Sequence, residues 1–214
     1  MFPMDNTDGK KSVLRSIRVS SRLAASLERE AREAKISVNS LVSSILERHD
    51  EWGKQAERFG FVHISRDLFG QFLDAIDDDD LALMAREFGR SMSTDLIVFW
   101  FKEVSLESVL RYLSLLSEYQ KLFTLDLTEL HGSYVIIAHH AFGEKGSVWF
   151  LNFLREAVET NLGVTTSAKH TKTSVRIEIP VRGLERTLTD ARAGELPAAA
   201  LAPLPRTPGR MDSR

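Results

Sequence analysis

The fold of the N-terminal part of the chain is decided by residues 15–48, which read RSIRVSSRLAASLEREAREAKISVNSLVSSILER. Apolar and polar residues alternate at the start of this stretch, and the alternation predicts a short strand at about Leu14–Val19. Because side chains on a strand alternate between its two faces, Ile17 and Val19 share one face, opposite to the face of Arg18.

Two helices are expected after the strand. Ser20 and Ser21 are good N-cap residues for a first helix that extends to about Ala34, and Ser37 is a good N-cap for a second. The apolar residues of each helix recur on one face, with Leu23, Leu27 and Ala31 in the first helix and Val38, Leu41, Val42 and Ile45 in the second.

A β-α-α unit of this size is incomplete as a single copy. A lone strand leaves its backbone donors and acceptors unpaired, and two short helices bury little apolar surface. Pairing the strand with its copy from a second chain removes both deficits and gives a two-stranded antiparallel ribbon over four helices. The predicted dimer core is Ile17, Val19, Leu23, Leu27, Leu41, Val42 and Ile45.

The segment resembles the ribbon-helix-helix family, the Arc/MetJ/CopG class of repressors. The resemblance covers Val13–Trp52 and consists of an alternating basic strand, a polar break, an amphipathic helix and a serine-capped second helix. The turn Ser37-Val38-Asn39-Ser40 closely matches the family's entry into its second helix. The family often has a glycine before this turn, where this chain has Ala34-Lys35-Ile36.

The resemblance implies a set of DNA contacts. The outward residues of the ribbon enter the major groove, which assigns base contacts to Leu14, Ser16 and Arg18. Outward positions are usually polar, so Leu14 can alternatively pack under Lys11 or in the dimer. The positive end of the second helix binds phosphate through amides at Ser37, Val38 and Asn39. Further phosphate contacts are expected from basic side chains on and beside the ribbon, namely Lys10, Lys11, Arg15 and Arg22.

The distribution of charge agrees with a polyanionic partner. Residues 10–35 hold eight basic and three acidic side chains, whereas residues 53–180 hold 13 basic and 18 acidic ones, although the whole chain carries only −2. Between Lys10 and Leu27 there are five basic residues and no acidic one. Such local one-sided charge favours phosphate neutralisation.

A second, α+β domain is expected at residues 60–180. Gly53 and the polar residues after Trp52 suggest a joint before it, although the second helix can alternatively continue to about Arg58. The patterns predict a strand in FVHISRD (61–67), a short helix, one long helix or two abutting ones from Asp77, a Ser105-capped helix, a hairpin around His131-Gly132, a helix ending before Gly163 and a closing hairpin. This order gives a mainly antiparallel sheet.

Other candidate sites in the second domain are weak. His139 and His140 point to opposite faces of a strand, so a metal site would need one of them to join His131 or His170, and we favour polar sheet residues instead. Asp77–Asp80 lack the glycine and glutamate of a calcium loop and suit the start of a helix. The aromatic residues Phe99, Trp100, Phe101, Trp149 and Phe150 indicate core packing more than a ligand pocket. Gly143–Gly146 is interpreted as a turn before a helix.

Composition bounds the remaining possibilities. The chain has 214 residues and no cysteine, which excludes disulfides and thiolate metal sites. Without an apolar signal core or a stretch of about 18 apolar residues, we expect a cytoplasmic protein with no membrane contact. Residues 181–214, rich in proline and alanine, are expected to be a disordered tail.

The sequence therefore predicts a homodimeric, sequence-specific DNA-binding transcription regulator of the repressor type, with double-stranded DNA as partner and with higher oligomers on DNA as an option. The second domain adds dimer contacts or senses a small-molecule or protein effector. One alternative is an antitoxin-like interaction module whose second domain binds a protein. Another is an enzyme or metalloprotein with the ribbon as an accessory, which we disfavour because no catalytic motif is evident. No cofactor and no metal are expected.

Overall fold

The computed structural model describes residues 13–130 and 132–180. The predictions made for Lys10, Lys11, His131 and the tail at 181–214 lie outside the described residues.

The described residues form an α+β fold. The helices are α1 (Ser21–Glu33), α2 (Val38–Arg48), α3 (Lys54–Arg58), α4 (Arg66–Asp74), α5 (Asp78–Phe101), α6 (Leu106–Leu115) and α7 (Gly143–Leu162). Two π-helical segments, His49–Gly53 and Leu116–Gln120, follow α2 and α6 directly. The strands are β1 (Thr124–Leu130), β2 (Ser133–His139), β3 (Ser167–His170) and β4 (Ser174–Pro180). This arrangement confirms the α+β class.

The four strands form one antiparallel sheet in the order β1-β2-β4-β3. Leu127, Ile136 and Ile177 lie side by side across three strands, and Ile136 and Ile177 are fully buried. One face of the sheet packs against α7, which in turn packs along the length of α5. The core thus includes the sheet and this helix pair, and it extends to α6 and to the segment around Trp52.

Helices α5 and α7 approach each other closely at Gly89. A Cβ atom at this position would lie 2.6 Å from the backbone oxygen of Phe153, so only glycine fits without a shift of the backbone. The buried residues Ala85 and Ser93 stand one turn to either side of Gly89. Small residues therefore allow α5 and α7 to pack closely. Beside this contact, Arg90 Nε donates a hydrogen bond to Glu156 Oε1 (2.9 Å).

Local signals predicted most of these elements correctly. Ser105 caps α6 and exchanges hydrogen bonds with Ser108 in a capping box. Gly163 ends α7 in the left-handed conformation (φ +62°). The two hairpins are present, and the region from Asp77 onward forms one long helix rather than two.

In the second domain, the structure corrects two expectations and decides between two alternatives. The strand predicted in residues 61–67 is wrong: Phe61 N–H bonds to the oxygen of Ala56 and closes α3, and Ser65 Oγ then accepts from Leu68 N–H (3.2 Å) to cap α4. The stretch Gly143–Gly146 is the first turn of α7, not a turn before it. Of the two alternatives after Trp52, the continued helix is observed, and it ends at Arg58.

Candidate nucleic-acid interface

Residues 13–20, the predicted ribbon strand, have no regular secondary structure in the single chain. Every side chain in this stretch is exposed. The predicted base-contacting residues Leu14, Ser16 and Arg18 are therefore open to solvent, but so are Ile17 and Val19, which were expected to face inward. The single chain thus assigns neither set to a face.

The turn from α1 into α2 has a well-defined geometry. Ser20 Oγ accepts from Leu23 N–H at 3.2 Å, which confirms the first cap. At the other end of α1, Lys35 adopts a left-handed conformation (φ +56°), and Ile36 N–H bonds to the oxygen of Ala31. Together with the Lys35 N–H bond to Arg32 oxygen, this is a Schellman motif. Lys35 takes the position where glycine is common.

Ser37 is the N-cap of α2, as predicted. Its hydroxyl accepts from Ser40 N–H at 3.0 Å and lies 2.8 Å from the Ser40 hydroxyl. Ser37, Val38 and Asn39 are all exposed, and the first turn carries no acidic residue. The amides at this end therefore face solvent at the positive pole of the helix dipole. The remaining predicted phosphate contacts within the described residues, Arg15 and Arg22, are exposed as well.

The predicted dimer-core residues are only partly covered in the single chain. Leu41 is buried, at 7% exposure, and Leu27 and Val42 are half-buried. Ile17, Val19, Leu23 and Ile45 are exposed. The structure thus buries Ala31 on α1 and Leu41 on α2, and it leaves four of the seven predicted core residues exposed.

Glu51 and Trp52 link the two parts of the chain, and sequence reasoning missed both. Trp52 is 5% exposed and belongs to the core of the second domain. A signal was available, because Trp52 lies seven residues after Ile45 and so continues the apolar stripe of α2 by two turns. Glu51 carries no such signal.

His139 and His140 are adjacent in sequence but lie in different environments. His139 lies on the exposed side, 3.2 Å from Asp126 Oδ2, whereas His140 follows β2 and is buried, with Nε2 3.1 Å from Ser147 Oγ. Burial lowers the pKa of His140, and the neighbouring His139 and His170 lower it further. Within residues 13–130 and 132–180, no group of three or more His, Cys, Asp or Glu side chains is placed to hold a metal ion.

The acidic run at the start of α5 and the predicted aromatic set both contribute to the fold. Asp78, Asp79 and Asp80 form the first turn of α5, and Asp78 pairs with Lys145 at 2.7 Å. Phe150 is buried in the core, and Trp100, Phe101 and Trp149 pack against it, whereas Phe99 lies outside this core and packs on Phe59. Both observations agree with the structural interpretations preferred from the sequence.

Comparison with known proteins gives no family assignment. The chain matches no protein-family model, and it has no significant match among curated proteins. In the part of the chain that the structure describes, no helix combines the length and apolar character needed to cross a membrane.

Proposed function

We propose that this chain is a homodimeric DNA-binding transcription regulator whose N-terminal segment forms a ribbon-helix-helix with a second copy. One observation carries the proposal: an unpaired stretch with exposed apolar side chains leads directly into two capped helices whose apolar stripe is half open. Ile17 and Val13 are each 69% exposed, and Leu23 and Ile45 are 47% and 46% exposed.

The second copy supplies what the single chain lacks. Backbone groups of residues 13–20 take part in no strand pairing in the described structure. An antiparallel partner strand would satisfy them and place Ile17 and Val19 from both chains over the four helices. The interface would be isologous, because the same residues contribute from each chain.

The charge of the segment suits a DNA partner, and Arg18 would lie on the ribbon face opposite Ile17 and Val19. Arg15, Arg18 and Arg22 are exposed, and the first turn of α1 holds no acidic side chain. Arg18 can bind a guanine edge through two hydrogen bonds, and Ser16 can bind either base type. The amides at the start of α2 would fix the ribbon against phosphate.

Fluorescence anisotropy with DNA tests the proposal. DNA fragments that the protein selects from random sequence serve as specific sites, and Arg18→Ala should weaken binding to them by about 1–3 kcal/mol. Arg29→Ala is the matched control, because Arg29 is also exposed and basic but lies outside the predicted contact set. Binding should also weaken steeply with salt as counterions are released.

Two results would refute the proposal. One is a binding constant that is unaffected by both Arg18→Ala and salt. The other is a protein that remains monomeric at concentrations at which it binds DNA, because the ribbon needs two strands.

A further inference from the structure

The helix capped by Ser37 continues past Gly53, where the sequence suggested a joint. Residues 38–58 are helical throughout, since α2, the π segment His49–Gly53 and α3 follow one another without an intervening residue. The backbone at both junctions is right-handed helical, with φ −66° and ψ −41° at His49 and φ −64° and ψ −29° at Lys54. The candidate DNA-binding segment is thus connected to the second domain by a continuous helical rod, residues 38–58, and not by a flexible linker.

The second domain holds this rod through aromatic packing. The Trp52 ring stacks on Trp100 (centroids 5.4 Å apart, 20° between planes) and on Tyr119 (5.8 Å, 29°), and it also contacts Phe61. Ala56, one turn later, is 5% exposed. The main core contains no residue before Trp52 among those described. The rod therefore enters the core at the π segment.

A polar contact fixes the rod beside this packing. The Glu51 carboxylate accepts a hydrogen bond from the Tyr119 hydroxyl at 2.7 Å, and its other oxygen lies 3.4 Å from Arg111 Nη2. Burial and the Glu51 carboxylate raise the pKa of Tyr119, so the phenol keeps its proton and remains a donor at neutral pH. Glu51 is joined in this way to two residues that lie 60 or more positions further along the chain.

The π segment sets the direction of these contacts. A π turn contains one more residue than an α turn, so it rotates every later side chain about the axis relative to a regular α-helix. Glu51 and Trp52 lie within this segment, and their direction relative to the α2 stripe depends on it. Such segments are often found at functional sites.

We propose that Glu51 is a positioning residue that holds the DNA-contacting segment at a fixed angle to the second domain through Tyr119 and Arg111. The proposal rests on the proposed function. When two chains bind DNA together, a fixed angle removes the entropy cost of ordering two loosely attached domains. A signal that reaches the second domain can act on DNA binding by breaking this contact.

A double-mutant cycle tests the coupling in the full-length protein. Glu51→Ala and Tyr119→Phe should each weaken binding to a selected DNA site by roughly 2- to 30-fold. The double variant should be no weaker than the more affected single variant, because both changes remove the hydrogen bond between the two side chains. Glu118→Ala is the control, since Glu118 is adjacent to Tyr119 but exposed, and it should leave binding unchanged. Additive losses in the cycle, or no loss, would overturn the proposal.

A distance measurement gives a result that does not depend on DNA. The chain has no cysteine, so Ala25→Cys on α1 and Thr128→Cys on β1, both at exposed positions, allow two spin labels in one chain. With an excess of unlabelled protein, pulsed electron paramagnetic resonance should give a narrow distance distribution that broadens or shifts in Glu51→Ala. Identical distributions would overturn the positioning role.

The two readouts separate the two proposals. If the wild-type protein does not bind DNA but its distance distribution is narrow and broadens in Glu51→Ala, the DNA-binding function fails and Glu51 still positions the segment. If the protein binds DNA and neither variant changes affinity or distance, only the positioning role fails.

Discussion

Replacement of Ile17 by alanine tests the ribbon dimer directly. In the single chain the Ile17 side chain is 69% exposed, so the dimer would bury surface that the monomer leaves in water. Complete burial of an isoleucine side chain is worth about 1.5–3 kcal/mol, and the open 69% corresponds to about 1–2 kcal/mol. Because alanine keeps a methyl group, we expect a loss of about 1–1.5 kcal/mol per chain and about 2–3 kcal/mol per dimer.

This loss should raise the dimer dissociation constant by about 30- to 150-fold, as measured by sedimentation equilibrium over a dilution series. The thermal stability of the second domain should not change, because Ile17 lies outside its core. Leu14→Ala is the matched control: Leu14 is 92% exposed, and strand alternation places it on the DNA side.

Two outcomes would refute the reasoning. If Ile17→Ala and Leu14→Ala weakened the dimer equally, the assignment of strand faces would be wrong. If neither changed the dissociation constant, the chains would associate by a surface other than the ribbon.

Three further predictions concern the fold itself. Gly89→Ala should lower the free energy of unfolding by about 1–2 kcal/mol in urea, because the clash with Phe153 oxygen exceeds the gain of about 1 kcal/mol in helix propensity. Lys35→Gly should raise the thermal midpoint through a gain of about 0.5–1 kcal/mol, because glycine adopts the left-handed conformation without steric cost. Stability should fall as the pH drops below about 6.5, because the lowered pKa of His140 means that the unfolded chain takes up its proton first.

Each of these has a matched control. In α4, a Cβ atom at Gly70 would meet only Phe142 Cδ1 at an ordinary 3.7 Å, so Gly70→Ala should be neutral or stabilising. Equal losses at Gly70 and Gly89 would contradict the packing argument. A destabilised Lys35→Gly would mean that the left-handed turn is not retained in solution. For the pH effect, His140→Gln should flatten the acid limb, and an unchanged limb would assign it to other groups.

The features that the sequence predicted correctly depend on local chemistry. A serine hydroxyl that bonds to the backbone two or three residues later needs no distant partner, so the caps at Ser20, Ser37 and Ser105 could be identified from the sequence. The same holds for Gly163, whose left-handed conformation is open to glycine without strain. The helix ends marked by Ser20, Ser37, Ser105 and Gly163 were therefore among the most predictable features of the fold.

The strand predicted in residues 61–67 shows where local reasoning fails. Its alternation of apolar and polar residues fits a strand, but β-structure requires a neighbour with which to pair. Here Phe61 packs on Trp52 and Ser65 caps α4, so these residues connect two helices instead. Tertiary contacts outweighed the pattern.

The sequence by itself determined the two capped helices, the basic character of the N-terminal segment and its apolar stripe, because each is a property of neighbouring residues. The tertiary structure alone decided that the second of these helices continues through a π segment into the core. That outcome depends on Trp52 meeting Trp100 and on Glu51 meeting Tyr119, contacts between residues some fifty to seventy positions apart.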